Sequence, residues 1–94
     1  MKAGERTKQK ILNAGLDLWP DVTLQGVARA LDLNSHVNIF YYFKNVAELK
    51  DAVAAHAVET GNSRVIMQLV AANHAAVKDL SQADRIRHFN AVTV

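Results

Sequence analysis

The stretch Asp32-Leu-Asn-Ser-His-Val-Asn-Ile-Phe-Tyr-Tyr-Phe43 holds four of the six aromatic residues in this 94-residue chain. Asn34 or Ser35 is a good N-cap, because its side-chain oxygen can accept a hydrogen bond from a backbone N–H of the following turn. The stretch therefore predicts a short helix over residues 35–43, around which the rest of the chain is organised.

The two sides of this predicted helix differ in character. At 100° per residue, Ile39 and Phe43 share one side with Phe40 beside them, and we expect that side to be buried. The opposite side carries Val37, Asn38, Tyr41 and Tyr42. This mixture indicates a surface that contacts a partner, although the two tyrosines are also compatible with packing on neighbouring helices.

A second predicted helix lies immediately upstream, with Thr23 as its cap. Its apolar residues recur at helical spacing, at Leu24, Val27, Ala28 and Leu31. Two short helices joined by a tight polar turn are typical of a helix-turn-helix, whose second helix enters the major groove of DNA.

The other predicted helices follow from the same signals. The first covers residues 5–19, ends at Pro20, and has Gly15 in its apolar stripe, which indicates a close helix crossing. Three helices follow the aromatic stretch. Their predicted caps and ends are Asn45 with Glu48, Gly61, Ser63, and Ser81 with Asp84.

The predicted fifth helix has an unusually wide apolar surface. Val65 and Leu69 lie on one face, and Ile66 and Val70 lie beside them. Such a surface is either buried within the monomer or contacts a partner. We expect a homodimer formed through helices in residues 45–94.

Length and composition favour an all-α protein. We expect a single domain over residues 1–94, with residues 1–44 as the helix-turn-helix part and residues 45–94 as a support and dimerisation part. The chain has no cysteine and no apolar run long enough for a membrane span. These features predict a soluble cytoplasmic protein without a membrane partner.

Positive charge is concentrated at the start of the chain. Lys2, Arg6, Lys8 and Lys10 against Glu5 give +3 in the first ten residues, whereas the formal net charge of the whole chain is +2. This basic segment is either a nucleic-acid contact or a solubilising terminus.

The sequence contains no pattern typical of catalysis or of a metal site. Histidines 36, 56, 74 and 88 include no i,i+4 pair. Serines 35, 63 and 81 all stand at predicted helix starts, where capping accounts for them. We therefore expect no enzymatic activity, no metal and no cofactor.

Taken together, residues 7–53 resemble the DNA-binding domain of the TetR family of bacterial transcriptional regulators. The resemblance rests on Thr7-Lys8 followed by Ile11-Leu12-Asn-Ala-Gly15-Leu-Asp-Leu18-Trp19, on Thr23 with Val27-Ala28, and on Ile39-Phe-Tyr-Tyr-Phe43, Lys44-Asn45 and Leu49. Phe40 and Val46 differ from the family pattern, which usually has Tyr and Lys there.

The resemblance implies a three-helix helix-turn-helix domain followed here by two or three further helices. By position, it implies that His36, Val37, Asn38 and Tyr41 contact bases. It implies that Thr23, Tyr42 and Lys44 contact phosphates of double-stranded DNA.

About forty residues follow this region, fewer than the ligand-binding and dimerisation helices of family members need. We therefore expect no small-molecule effector. The predicted function is a sequence-specific transcriptional regulator of the repressor type, acting as a homodimer. Two alternatives stay open. One is a DNA-recognition subunit of a larger DNA-packaging or replication assembly, and the other is a helical protein-interaction module without DNA binding.

Overall fold

A computed structural model describes the backbone of residues 3–31 and 37–92, and the side chains of residues 6–31 and 39–92. The fold is all-α, as predicted. Its helices are α1 (Ala3–Leu18), α2 (Leu24–Ala30), α3 (Val37–Phe40), α4 (Val46–Thr60), α5 (Ser63–Ala71) and α6 (Gln82–Val92), with a 3₁₀ turn at Ala75–Val77. No helix in this part of the chain is long and apolar enough to cross a membrane.

The chain forms two compact units, Met1–Val53 and Ala54–Val94. The boundary falls inside α4, so that helix contributes its first half to one unit and its second half to the other. The prediction of a single domain with parts meeting at residue 45 stays a prediction.

In the first unit, the predicted apolar stripe of α2 is only partly buried, since Val27 and Ala28 are buried whereas Leu24 and Leu31 are half-buried. Thr23 is the N-cap of α2, and its hydroxyl oxygen accepts a hydrogen bond from the Gly26 N–H at 2.9 Å. Pro20 lies just beyond the end of α1, as predicted. The buried apolar residues of this unit are Ile11, Leu12, Ala14, Leu16, Val22, Val27, Ala28, Ile39, Phe43, Leu49 and Val53.

Gly15 marks a close crossing of α1 and α4, as its place in the apolar stripe predicted. A Cβ atom added at Gly15 would lie 2.5 Å from Cγ2 of Val53, closer than side chains approach one another in folded proteins. Because Val53 is fully buried, it has no free space into which to move. Glycine at this position therefore sets how closely the two helices pack.

The helix over the aromatic stretch is shorter than predicted. It ends at Phe40, so Tyr41 and Tyr42 lie in the turn that follows it. The N–H groups of Tyr42 and Phe43 both donate to the Ile39 carbonyl, at 2.9 Å each. The last turn is thus tightened, because the chain must leave the helix before α4 begins. The predicted caps Asn34 and Ser35 lie outside the described residues.

Burial in this segment confirms two predictions and contradicts a third. Ile39 and Phe43 are buried, as expected. The prediction that Phe40 shares the buried side is wrong, since its side chain is exposed. Phe40 is the last residue of α3, where the path of the chain already departs from the ideal helix that the prediction assumed.

The second unit contains two helix ends of the same design. Gly61, which follows α4, has a φ of +69°, and Asn73, which follows the C-cap of α5, has a φ of +55°. In each case the next N–H reaches back five residues, from Asn62 to the Ala57 carbonyl and from His74 to the Leu69 carbonyl, both at 2.9 Å. These are Schellman motifs, which use a left-handed residue to satisfy carbonyls that a helix leaves free.

The cap of α5 differs from the prediction. Asn62 is the N-cap, and its side-chain oxygen accepts from the Val65 N–H at 3.1 Å. Ser63, the predicted cap, is instead the first helical residue. Asparagine and serine are both favoured N-caps. Because they are neighbours here, local sequence alone does not determine which of them caps α5.

Contacts of α6 fix that helix against the rest of the second unit. Ser81 caps it as predicted, accepting from the Asp84 N–H at 3.1 Å. The buried His88 ring lies 2.7 Å from the Ser63 hydroxyl through its Nδ1 atom. The Arg85 guanidinium donates to the carbonyls of Val77 at 3.0 Å and Leu80 at 3.3 Å.

We predict that Gly15→Ala lowers the free energy of unfolding. Alanine gains at most about 1 kcal/mol of helix propensity, whereas overpacking against Val53 costs about 1–3 kcal/mol. The double variant Gly15→Ala/Val53→Ala should be free of the overpacking. In denaturant titrations, its loss of stability should therefore be smaller than the sum of the two single losses by at least about 0.5 kcal/mol.

The control is Gly61→Ala. No atom lies within 4 Å of its added Cβ, so its cost comes from the φ of +69° alone. The losses of stability in Gly61→Ala and Val53→Ala should add in the double variant. A Gly15→Ala protein as stable as the parent would contradict the close-crossing interpretation.

Candidate nucleic-acid interface

The structure describes four of the seven residues predicted to contact DNA. Thr23, Tyr41, Tyr42 and Lys44 have described side chains, and all four belong to the first unit. Val37 and Asn38 open α3, but their side chains lie outside the described residues, as does the whole of His36. The assignment of these three to base contacts stays a prediction.

Tyr41 is the most exposed aromatic side chain in the described part of the chain, at 84% of its full accessible area. Its ring meets that of Tyr42 edge to face, with centroids 5.1 Å apart and planes at 79°. Tyr42 is only half-buried. The prediction that both tyrosines line one side of a helix is wrong, because they lie in the turn after α3. They are nevertheless adjacent and reachable from solvent.

Lys44 and the N-terminus of α4 come soon after the two tyrosines in the chain. Lys44 is exposed, and Asn45 caps the helix by accepting from the Glu48 N–H at 2.8 Å. The N–H groups of Val46 and Ala47, in the first turn, are among those that an α-helix cannot satisfy internally. A cation beside a helix N-terminus is a favourable surface for an anion.

Thr23 is the N-cap of α2. Its oxygen accepts from Gly26, and a Cβ added at Gly26 would lie 2.8 Å from that same oxygen. Glycine at position 26 therefore leaves room for the cap. A hydroxyl keeps its proton while it accepts, so Thr23 retains a donor.

Lys8 is a residue that the helical pattern did not single out. Its ammonium group lies 5.6 Å from the centre of the Phe43 ring, within the range of a cation–π contact. The contact holds one charge of the basic segment next to the turn that carries Tyr41 and Tyr42. Arg6 and Lys10 lie about 160° away around α1 from Lys8, so the basic segment is not one continuous patch.

Two apolar side chains are exposed near the same turn. Phe40 precedes the tyrosines and Val46 opens α4, and both are exposed. These are the two positions at which the sequence departs from the family pattern. They give this surface an apolar component beside its tyrosines and lysine.

Histidines and acidic residues do not gather into a metal site in the part of the chain that the structure describes. His56 and His88 are buried in the second unit. Every buried side-chain nitrogen or oxygen among the described residues has a hydrogen-bond partner. The buried histidines therefore belong to the packing of that unit.

Comparison of the chain with models of protein families, with curated proteins and with solved structures finds no match.

We predict that Asn45→Ala lowers the free energy of unfolding by about 1 kcal/mol, because the Glu48 N–H loses its partner. Asn45→Asp should keep the cap and most of the stability. The neighbouring Lys44→Ala should change stability by less than about 0.5 kcal/mol, since Lys44 is an exposed surface residue. Chemical denaturation of the three variants measures these differences, and equal losses at Asn45 and Lys44 would exclude the capping role.

Proposed function

We propose that the protein is a helix-turn-helix DNA-binding protein. More particularly, we propose a TetR-like, sequence-specific transcriptional regulator of the repressor type that acts as a homodimer. The observation that supports this best is the exposed turn after α3, in which Tyr41 projects beside Tyr42 and is followed by Lys44 and the capped start of α4.

The chemistry of this turn suits the DNA backbone and groove edges. A tyrosine hydroxyl donates to phosphate oxygens, and its ring packs on sugars and on thymine methyl groups. The edge-to-face contact with Tyr42 restrains the Tyr41 ring, which lowers the entropy lost on binding. Lys44 and the first-turn N–H groups of α4 then supply positive charge for an adjacent phosphate.

Lys8 adds a second cation to the same region. Its contact with Phe43 restrains the ammonium group, while the side chain stays exposed. In the proposed complex, Lys8 and Lys44 contact phosphates and carry no base information, whereas Asn38 and its neighbours on α3 read base edges.

A protein-interaction module is the second candidate. It is favoured by Phe40 and Val46, whose exposed apolar side chains are less useful against phosphates than against another protein. The two candidates differ in their response to salt. Counterion release makes DNA binding strongly salt-dependent, whereas an interface centred on apolar side chains responds weakly.

We predict that affinity for duplex DNA falls with salt at a log–log slope of about −0.9 for each phosphate contact. Lys44→Ala should weaken binding to all sequences about equally and make the slope shallower by about one contact. Fluorescence anisotropy over a salt series measures both effects. Lys78→Ala is the matched control, because it removes the same charge from an exposed position in the second unit.

A flat salt dependence would favour the protein-interaction module. A loss of preference at a single base pair in Lys44→Ala would contradict the phosphate role of Lys44.

We predict different effects for two neighbouring residues of α3. Asn38→Ala should cost roughly 1–3 kcal/mol of binding at one base pair of each half-site, because an asparagine pairs with adenine N6 and N7. Ile39→Ala should lower the free energy of unfolding by about 2–5 kcal/mol, because Ile39 is completely buried.

The measurement combines thermal melts with titrations on a site selected from random DNA and on a scrambled duplex. In a dimer the sensitive base pairs should form a symmetric pair roughly 10 base pairs apart. An Asn38→Ala protein that binds the selected site like the parent would exclude this groove-facing role.

A further inference from the structure

Tyr41 presents an almost fully open aromatic ring to solvent. Its side chain is 84% exposed, and its edge-to-face contact with Tyr42 therefore covers little of it. An aromatic ring carries a large apolar area, and folded proteins usually bury at least part of it. Most of the apolar surface of the Tyr41 ring is thus available to a ligand.

The backbone of the turn holds Tyr41 in a fixed relation to α3. The N–H groups of Tyr42 and Phe43, the next two residues, both donate to the Ile39 carbonyl at 2.9 Å. Because Ile39 is completely buried, these hydrogen bonds anchor the turn to the core of the first unit. When α3 approaches a groove of DNA, the Tyr41 ring approaches with it.

The cations near this turn lie at its other end. The Lys8 ammonium is 5.6 Å from the centre of the Phe43 ring, and Lys44 follows Phe43 directly. Cations contact phosphates, which lie beside the sugars along the edges of a groove. Tyr41 carries no charge and follows directly on α3, so it lies on the groove side of these phosphate contacts.

Duplex DNA offers an uncharged ring few apolar partners inside a groove. The faces of the bases are covered by their neighbours in the stack, and the edges of the bases are mostly hydrogen-bond donors and acceptors. The exception in the major groove is the C5-methyl group of thymine.

We propose that the Tyr41 ring packs against a thymine methyl group, so that this protein distinguishes thymine from uracil at one base pair of each half-site. The proposal rests on the proposed function and names the base group that its site recognises.

The expected effect of this contact is small but measurable. Burial of one methyl group changes an affinity by about fourfold. The gain is kept only if the ring loses little freedom on binding. The contact with Tyr42, with centroids 5.1 Å apart and planes at 79°, restrains the ring before DNA arrives.

Replacement of thymine by deoxyuridine tests the contact, because it removes the methyl group and keeps every hydrogen-bonding group of the base. Fluorescence anisotropy compares a duplex selected from random DNA with copies in which one thymine at a time is replaced. In each half-site we expect one thymine whose replacement weakens binding by about fourfold.

Variants assign this preference to Tyr41. Tyr41→Ala should bind the thymine duplex and the deoxyuridine duplex equally well. Tyr41→Phe keeps the ring and should keep the preference for thymine. The control Lys44→Ala should weaken binding to both duplexes alike and also keep the preference, because a phosphate contact carries no base information. Thermal melts check that the variants keep the parent's fold.

The outcomes separate this contact from the proposed function. A parent protein that binds its selected duplex but responds to no deoxyuridine replacement overturns the contact and leaves the proposed function standing. A preference for thymine that persists in Tyr41→Ala also overturns it, because another side chain or the shape of the DNA is then responsible.

Two further outcomes concern the nucleic acid itself. Tighter binding to single-stranded than to duplex DNA overturns the methyl contact, because the ring then stacks on unpaired bases. A parent protein that binds no duplex DNA overturns the proposed function together with the contact.

Discussion

The close contact between Gly15 and Val53 is the constraint on which the first unit depends. Without a Cβ atom at Gly15, α1 can lie directly on the Val53 side chain, and the buried residues on either side of this point are brought together. α1 also carries Lys8, whose ammonium group reaches the Phe43 ring. The position of one cation beside the candidate interface is therefore linked to the packing of α1.

Local hydrogen bonds at helix ends account for most of what the sequence could predict. Thr23, Asn45, Ser81 and Gly61 act through groups within a few residues of themselves, and such chemistry is visible in a single stretch of sequence. The N-cap of α5 shows the limit of prediction from local sequence, because Asn62 and not the predicted Ser63 is the cap. Ser63 instead contacts His88 of α6, a residue far away in the sequence that no local pattern reveals.

Features of the candidate interface were harder to predict, because they depend on where a short helix stops. A helical wheel assumes an ideal helix through Phe43, but the tightened turn ends α3 at Phe40 and moves Tyr41 and Tyr42 into the connection to α4. The same change exposes Phe40. The contact of Lys8 with Phe43 joins residues far apart in the sequence, and no periodicity within one helix reveals it.

The distribution of aromatic residues gives the two units different optical properties. Trp19 is the only tryptophan, and it and both tyrosines belong to the first unit. The Lys50 ammonium lies 5.9 Å from the centre of the Trp19 ring, and a nearby charge alters the energy of the indole excited state. Tryptophan emission therefore reports on the junction between the end of α1 and the start of α4, while the second unit, which has neither chromophore, is silent in the same spectrum.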